Sequence, residues 1–394
     1  MSPFPDRLAA RLAEIYTGGL GRRLEPAGGI DLSSNDYLGF ATDPVLGRRF
    51  LAALRGRSVG STGSRLLRGE SDLYREVETA LAGFVSRETA LLFPSGYQAN
   101  LGLLSSLLRS GDTVFSDALN HASIIDGIRL GKAERVIYPH ADTSALRRTL
   151  ERFRYPDPTG LRVIVTESLF SVDGDMAPLR TLADLADEFG ALLIVDEAHA
   201  TGLFGAPGSG GGLVQALGLT KRVFATVHTG GKALGAAGAW VAGDAQVKEY
   251  LVNTARPFIF TTAPIPALPT LLRLSIDHWA RVGGDRAREV LRRAAAFRDT
   301  LRSAASTTSA PVPGVVEGIE GPIVPFVIGD NRRAVAAARQ LQENGFDARA
   351  IRPPTVPEGT ARLRLTVTWP VGEATLGRFT TVLRAMLQEE EVEA

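Results

Sequence analysis

The sequence predicts an α/β fold, with a mostly parallel seven-stranded sheet in a large domain and a smaller α/β domain at the C-terminus. Three observations carry that reading. Seven short apolar runs, TALLF, DTVFSD, ERVIYP, LRVIVTES, GALLIVDE, RVFATV and AAGAWVAG, follow one another from Thr89 onward. Between most of them lie segments with the 3.6-residue apolar spacing of helices, such as 98–109, 144–153 and 179–189. Around Pro264 the pattern changes to two long helical stretches (267–279 and 286–303), then IVPFVIG, a helix, RLRLTVT and a final helix.

Alternation of short strands with helices puts the crossovers on the faces of a parallel sheet. AAGAWVAG follows RVFATV without an intervening helix, so it is expected to run antiparallel. Upstream, MSPFPDRLAARLAEIY reads as an amphipathic helix and DLSSNDYLGF as a short strand entering a polar loop. The glycine-rich stretch GAPGSGGG at 205–212 reads as a flexible loop, a lid or a subunit contact. A chain of 394 residues exceeds one comfortable core. The expected divisions are an N-terminal segment (1–40), a large domain (41–265) and a small domain (266–394).

Composition narrows the function. Hydrophobic residues at 44% and charged residues at 22% are those of a soluble globular protein. A formal net charge of +1 gives no electrostatic case for nucleic acid or an anionic membrane. Without cysteine there are no disulfides, thiolate chemistry or cysteine-held metals. The N-terminus lacks a signal peptide's apolar core, and no apolar run approaches the roughly 20 residues that span a bilayer. The expectation is a cytoplasmic enzyme.

Ligands of open α/β sheets bind at the carboxyl ends of strands, and here five such ends carry polar groups. They are Pro94-Ser95-Gly96-Tyr97, Asn120-His121, Phe170-Ser171, Asp196 with His199, and His228-Thr229-Gly230-Gly231-Lys232. Caps and turns explain any one of these, but poorly explain all five. Of the four lysines, Lys132 ends a helix, Lys221 lies in a polar turn and Lys248 sits among polar residues on a helix. Lys232 instead lies among small residues, in TGGKALGAAGA, where a bulky group can approach the backbone. Such an amine suits Schiff-base chemistry. An aldehyde cofactor there needs a carboxylate for its pyridinium (Asp196), a stacking face (His121), an oxygen partner (His199) and phosphate donors. The amides of Ser95-Gly96-Tyr97 at a helix start and the Thr229 hydroxyl are candidates for the last role.

Rival motifs are weaker. Asp196-Glu197-Ala198-His199 spells the DEAH box of helicases, but the phosphate loop those enzymes need is missing. A zinc site on His121 and His199 lacks a third ligand with ordered spacing, so no metal is expected. His140 and His278 read as structural, and His228 is ambiguous.

At these residues the chain resembles the α-oxoamine synthases, pyridoxal-phosphate enzymes of the aspartate-aminotransferase fold (fold type I). The matching stretches are SSNDYLG, GSTGSR, FPSGYQAN, NHASIIDG, TESLFSVDGDMAPL, VDEAHATGLFG, HTGGKALG and IRPPTVPEGTARLRLTVT. RPFIFTT and IRPPTVPEGTARLR are most similar to the branch that joins L-alanine to a pimeloyl thioester, on coenzyme A or acyl carrier protein, in biotin synthesis. Other branches, or an aminotransferase on the same fold, are the alternatives.

The resemblance implies that Lys232 carries pyridoxal 5'-phosphate and acts as the base at the amino-acid Cα. Asp196 would pair with the pyridinium, His199 with the ring oxygen, and His121 would stack on the ring. Ser171, Thr229, Gly96 and Tyr97 would complete the cofactor site, and Thr262 would reach the phosphate across a homodimer interface. Asn35 and Arg364 would hold the amino-acid carboxylate. Thr355 and Arg22 or Arg23 would contact the acyl chain, an arginine facing its far carboxylate. The chain departs from the family pattern at Gly230 (usually aromatic), Tyr74 (often histidine), Pro264 (usually beside a second proline) and Trp369-Pro370.

Overall fold

The computed structural model describes residues 4–18, 20–22, 24, 26, 28–153, 160–305, 314 and 320–393. All seven expected strands of the large sheet form. They are β1 (Thr89–Phe93), β2 (Thr113–Asp117), β3 (Glu134–Tyr138), β4 (Arg162–Glu167), β5 (Leu192–Asp196), β6 (Ala225–Thr229) and β7 (Ala239–Gly243). Their order across the sheet is β1-β7-β6-β5-β4-β2-β3. The pairs β3–β2, β2–β4, β4–β5 and β5–β6 are parallel. β7 is antiparallel to both neighbours, as the missing helix before it predicted. β1 to β6 therefore all end on one edge of the sheet.

Both faces of this sheet are covered, which is why its strands read as continuous apolar runs. Alternate residues divide between the faces. Val114, Val163, Val165 and Ile194 pack on one side with Leu103, Leu104 and Ile128. Phe115, Ile164, Leu193 and Val195 pack on the other with Leu146, Leu150, Leu182 and Leu185. Of the helices involved, Gly96–Leu107, Thr143–Arg152 and Leu179–Phe189 lie within a residue or two of the expected spans, and Ala122–Gly131 lies between His121 and Lys132. Asp142 caps one of them by accepting from the Ala145 amide, and Gly190 ends another in the left-handed conformation.

By contact density the chain separates into two compact units. One contains residues 35–171 and 175–290, and with them the whole large sheet. The other contains 1–34, 172–174 and 291–394. The second is built on an antiparallel sheet of β8 (Ile323–Gly329), β9 (Arg349–Ile351) and β10 (Ala361–Thr366), in the order β9-β10-β8. A parallel pairing of Ile30–Asp31 with Phe346–Asp347 ties the N-terminal segment into this unit. Its core joins Phe297 and Leu301, Val324 and Phe326, Leu341, Leu363, Leu365 and Phe379.

The stretch 205–212 is not the loose loop expected from its glycines. Gly202 N donates to Gly210 O and Gly212 N to Phe204 O. Gly210 lies against the Trp279 ring, where a Cβ would come within 2.6 Å. The buried Glu197 carboxylate accepts from Leu213 N (3.0 Å) and Val214 N (2.5 Å) just beyond the loop. Here glycine serves close approach, and the backbone hydrogen bonds that composition cannot reveal hold the segment down.

Phe379 is fully buried and packs edge-on against Phe297 (5.7 Å between centroids) and Phe346 (5.3 Å). Phe379→Ala is expected to cost about 3–5 kcal/mol in the stability of the smaller unit, read as a lowered denaturant midpoint.

Candidate active site

The carboxyl edge of the large sheet gathers most of the expected cofactor residues. Asp196 ends β5 and is buried. Its Oδ1 accepts the Ala198 amide at 2.8 Å and its Oδ2 accepts from Asn100 Nδ2 at 2.7 Å. Asn100 also donates to Ser123 Oγ at 2.9 Å, in the first turn of the helix that follows His121. Two donors on two different elements thus fix the plane of the Asp196 carboxylate. Asn100 lies in the FPSGYQAN stretch, but only the pairing of strand and helix shows its use.

His121 caps the helix Ala122–Gly131, its ring accepting from the Ser123 amide at 3.2 Å. The Tyr97 ring meets it edge-on at 6.4 Å. Surrounding protein lowers the pKa of this imidazole, the negative charge of Asp196 opposes that, and the Lys232 cation adds to it. The same two charges act on Glu167, the last residue of β4. Lys232, Asp196, His121 and Glu167 therefore form one electrostatic cluster. Burial first, and then the like charge of Asp196, push the Glu167 carboxyl up to about 8, against the Lys232 cation and the His121 amide that Glu167 accepts at 2.8 Å. Glu167 is buried, and that burial is decided by the neighbouring strands, which its place at a strand end does not reveal in the sequence.

His199 is buried, and its Nδ1 lies 2.6 Å from the Tyr37 hydroxyl, which also donates to Asn35 Oδ1 at 3.1 Å. Tyr37 thereby links Asn35, an expected carboxylate contact, to His199, an expected ring contact. Thr229 ends β6 and donates to Gly238 O at 3.1 Å. The helix Gly96–Leu107 begins two residues earlier than the spacing suggested, with Ser95 as its cap. Gly96 and Tyr97 thus fall in the first turn, where backbone amides have no intrahelical acceptor and favour an anion. Ser171 lies within the turn closed by the Leu169–Met176 bridge and is half-buried.

Thr262 is exposed, on the loop after Arg256–Ile259. The family departures find compensation nearby. A side chain at Gly230 would strike Leu272, 2.3 Å from an ideal Cβ, so that leucine fills the space an aromatic residue would need. Tyr74 is buried, donates to Pro264 O and carries the Arg65 guanidinium over its ring at 4.4 Å. Lys248 donates to the buried Glu78 at 2.8 Å, a structural role for another lysine.

In the smaller unit, Arg364 on β10 is half-buried, donates to Thr366 Oγ1 at 3.1 Å and stands opposite Arg349 in the strand register. Thr355 is exposed. Arg22 lines an open groove of about 870 Å³ together with Tyr16, Arg339, Arg349 and Arg352. Arg23 lies outside the described residues. Four guanidiniums around one groove suit an anionic group, with Arg339 and Arg349 also paired to Glu343 and Asp347; three of the four come from a helix, a strand and the residue just after that strand, far along the chain.

A phosphorylated pyridine aldehyde fits this donor set. The helix start and the Thr229 hydroxyl suit its phosphate, the doubly fixed Asp196 its ring nitrogen, and Lys232 its aldehyde carbon.

Residues 27–377 match the family described as aminotransferase class I and II. An 8-amino-7-oxononanoate synthase of Anaeromyxobacter sp. is 44% identical, with 97% of this chain and 96% of that protein covered. The serine palmitoyltransferase of Sphingomonas wittichii superposes with a TM-score of 0.87 at 29% identity, covering 99% of this chain and 98% of that one. The 8-amino-7-oxononanoate synthase of Francisella tularensis superposes with a TM-score of 0.76 at 26% identity, over 92% of this chain and 99% of that one.

A buried carboxyl that titrates near 8 gives a distinct signature. A carboxylic-acid infrared component lost in Glu167→Gln is expected at pH 6 and should fade as the pH rises through about 8, leaving in the variant the component of Glu197, which is pushed up only to about 7. Because this folded-state pKa lies above the unfolded value, the associated stability is greatest in acid and declines through the same range. An unchanged band in the variant would assign it elsewhere.

Proposed function

The chain belongs to the aminotransferase class I and II family and, within it, to the 8-amino-7-oxononanoate synthases, and on that premise we propose its reaction in detail. L-alanine and a pimeloyl thioester condense to give 8-amino-7-oxononanoate, carbon dioxide and the free thiol, with pyridoxal 5'-phosphate as cofactor. The observation that carries the reading is the shared strand-end edge where Asp196, held by Asn100 and the Ala198 amide, stands within the charge influence of His121 and Lys232.

Bound there, the cofactor supplies an aldehyde carbon for an amine and a conjugated ring that accepts the electron pair left at Cα. Lys232 would hold it by that carbon in the absence of substrate. Lys232 Nζ then removes the Cα proton, and later returns one to the same carbon. In between, Cα bonds to the thioester carbonyl, the thiol departs and the alanine carboxyl leaves as carbon dioxide. Asp196 keeps a proton on the ring nitrogen, and His121 covers the ring face. His199 would donate to the ring oxygen, its Nδ1 held by the Tyr37 hydroxyl. Asn35 and Arg364 hold the alanine carboxylate, Thr355 contacts the acyl chain, and Ser171, Thr229, Gly96 and Tyr97 complete the cofactor contacts. Thr262 serves the partner subunit of a homodimer. Arg22 receives the far carboxylate of the acyl chain, supported by the arginine-lined groove it shares with Arg339, Arg349 and Arg352.

Purified protein is expected to be yellow, and Lys232→Ala to lose that absorbance; borohydride reduction and peptide mapping should find the label on Lys232. Label on Lys132, Lys221 or Lys248 would overturn the assignment. Asp196→Asn is expected to retain cofactor but exchange the alanine Cα proton at least ~10-fold more slowly, about 1.4 kcal/mol or more of barrier. Alanine with pimeloyl-CoA is expected to release thiol much faster than glycine with acetyl-CoA. Arg22→Ala should weaken use of pimeloyl-CoA by about 2 kcal/mol or more and leave a monocarboxylic acyl-CoA of equal length unaffected. A preference for glycine with a short acyl chain would assign the chain to another branch of the synthases. Transamination without thiol release would remove it from them.

A further inference from the structure

The proposed chemistry leaves unused a charged cluster at the same sheet edge. His140 lies just beyond β3, and both of its ring nitrogens face carboxylates. Nδ1 is 2.8 Å from Asp117 Oδ1, and Nε2 is 2.7 Å from Asp175 Oδ2. A neutral imidazole offers one donor and one acceptor, so two carboxylate partners call for the doubly protonated ring. Burial opposes that charge, but the hydrogen bonds and charges of Asp117 and Asp175 outweigh it and push the pKa up to about 10.

The three residues join three elements. Asp117 ends β2, is buried, and is itself fixed by the amides of Leu119 and Ala141, each at 2.9 Å. Tyr138 and Glu167, which end the neighbouring strands, both feel its charge. Asp175 belongs to the turn that follows β4. Leu169 bridges Met176 across that turn, Phe170 N donates to Asp175 O at 2.9 Å, and Ala177 N donates to Ser168 O at 3.0 Å. The Phe170 ring packs edge-on against His140 at 4.4 Å. At the base of the turn, Ser168 N donates to Asp196 O at 2.8 Å and Ser168 Oγ to Glu197 at 2.6 Å. The other Asp175 oxygen is buried without a hydrogen-bond partner among the described residues, so His140 is the link that holds this carboxylate. Ser171 follows Phe170 directly. The segment that carries it is thus held on one side by the Asp196 strand end and on the other by His140.

We propose that His140 is a positioning residue. Its imidazolium, clamped between Asp117 and Asp175, fixes the turn that presents Ser171 to the cofactor. This role rests on the pyridoxal-phosphate reading above. The clamp remains charged throughout the neutral range.

The test is a double-mutant cycle on the dissociation constant of pyridoxal 5'-phosphate for the apoprotein, followed by fluorescence quenching. His140→Asn keeps one hydrogen bond and loses the charge; it is expected to weaken cofactor binding about tenfold. Ser171→Ala should weaken it comparably, and the double variant should be no weaker than Ser171→Ala alone. Asp175→Asn, a milder change, should act in the same direction and guards against misfolding of the histidine variant. Additive losses would show that His140 acts by another route, and a lowered melting temperature with unchanged binding would show a purely structural ion pair; either overturns the proposal. A wild-type protein that takes up no pyridoxal 5'-phosphate would overturn the functional reading itself, and this role with it.

Discussion

Strands β2 to β6 lie in the interior of one sheet or at its far edge, run in the same direction and end in Asp117, Tyr138, Glu167, Asp196 and Thr229. Each of these is buried, because helices cover both faces up to the point where the strands stop. A polar group in that position must find partners or change its protonation state. The rest of the site can be read as the set of answers to that constraint. Asp117 takes two amides and an imidazolium, Asp196 takes an amide and Asn100, and Thr229 takes a backbone carbonyl. Glu167 sits beside Asp196 and moves toward its neutral form.

The same crowding explains why the site can do chemistry. A lysine placed among carboxylates of different character has an anionic partner, Asp196, and a neighbour pushed toward its neutral form, Glu167, within one cluster. An imidazole whose pKa is lowered by its surroundings remains an uncharged, apolar face, which suits stacking on a ring better than an imidazolium would. His228 shows the limit of burial without such a purpose. It is fully enclosed, stacked on Trp240 at 5.1 Å, held by two threonine hydroxyls at 2.8 Å and driven down to about 3. Its place one residue before Thr229 turns its ring to the other side of the strand, away from the polar edge.

Glu197 and Glu78 use burial for architecture. Glu197 binds Ser168 and two amides beyond the glycine-rich stretch, while Glu78 gathers Arg65, Lys248 and the Leu92 amide. Removing Arg65 or Lys248 would leave Glu78 with uncompensated buried charge, so that cluster behaves as a unit.

The sequence alone determined the strand and helix series, the single reversed strand, and the position of Lys232 at a strand end beside small residues. Those follow from apolar periodicity and turn residues, which are local. It also determined the type of chemistry, because strand-end residues share an edge once the strands are known to be parallel. What only the tertiary structure decided is non-local. Asn100 reaches Asp196 from 96 residues away, Tyr37 reaches His199 across 162, and His140 ties a strand end and a turn that lie 23 and 35 residues distant. The burial of Glu167 depends on the strands beside it, and the tethering of 205–212 on hydrogen bonds that composition does not record. Arg339, Arg349 and Arg352 gather around Arg22 only when the N-terminal segment joins the unit formed by the chain's end. Partners of this kind are selected by packing, and packing is settled only when the whole unit is assembled.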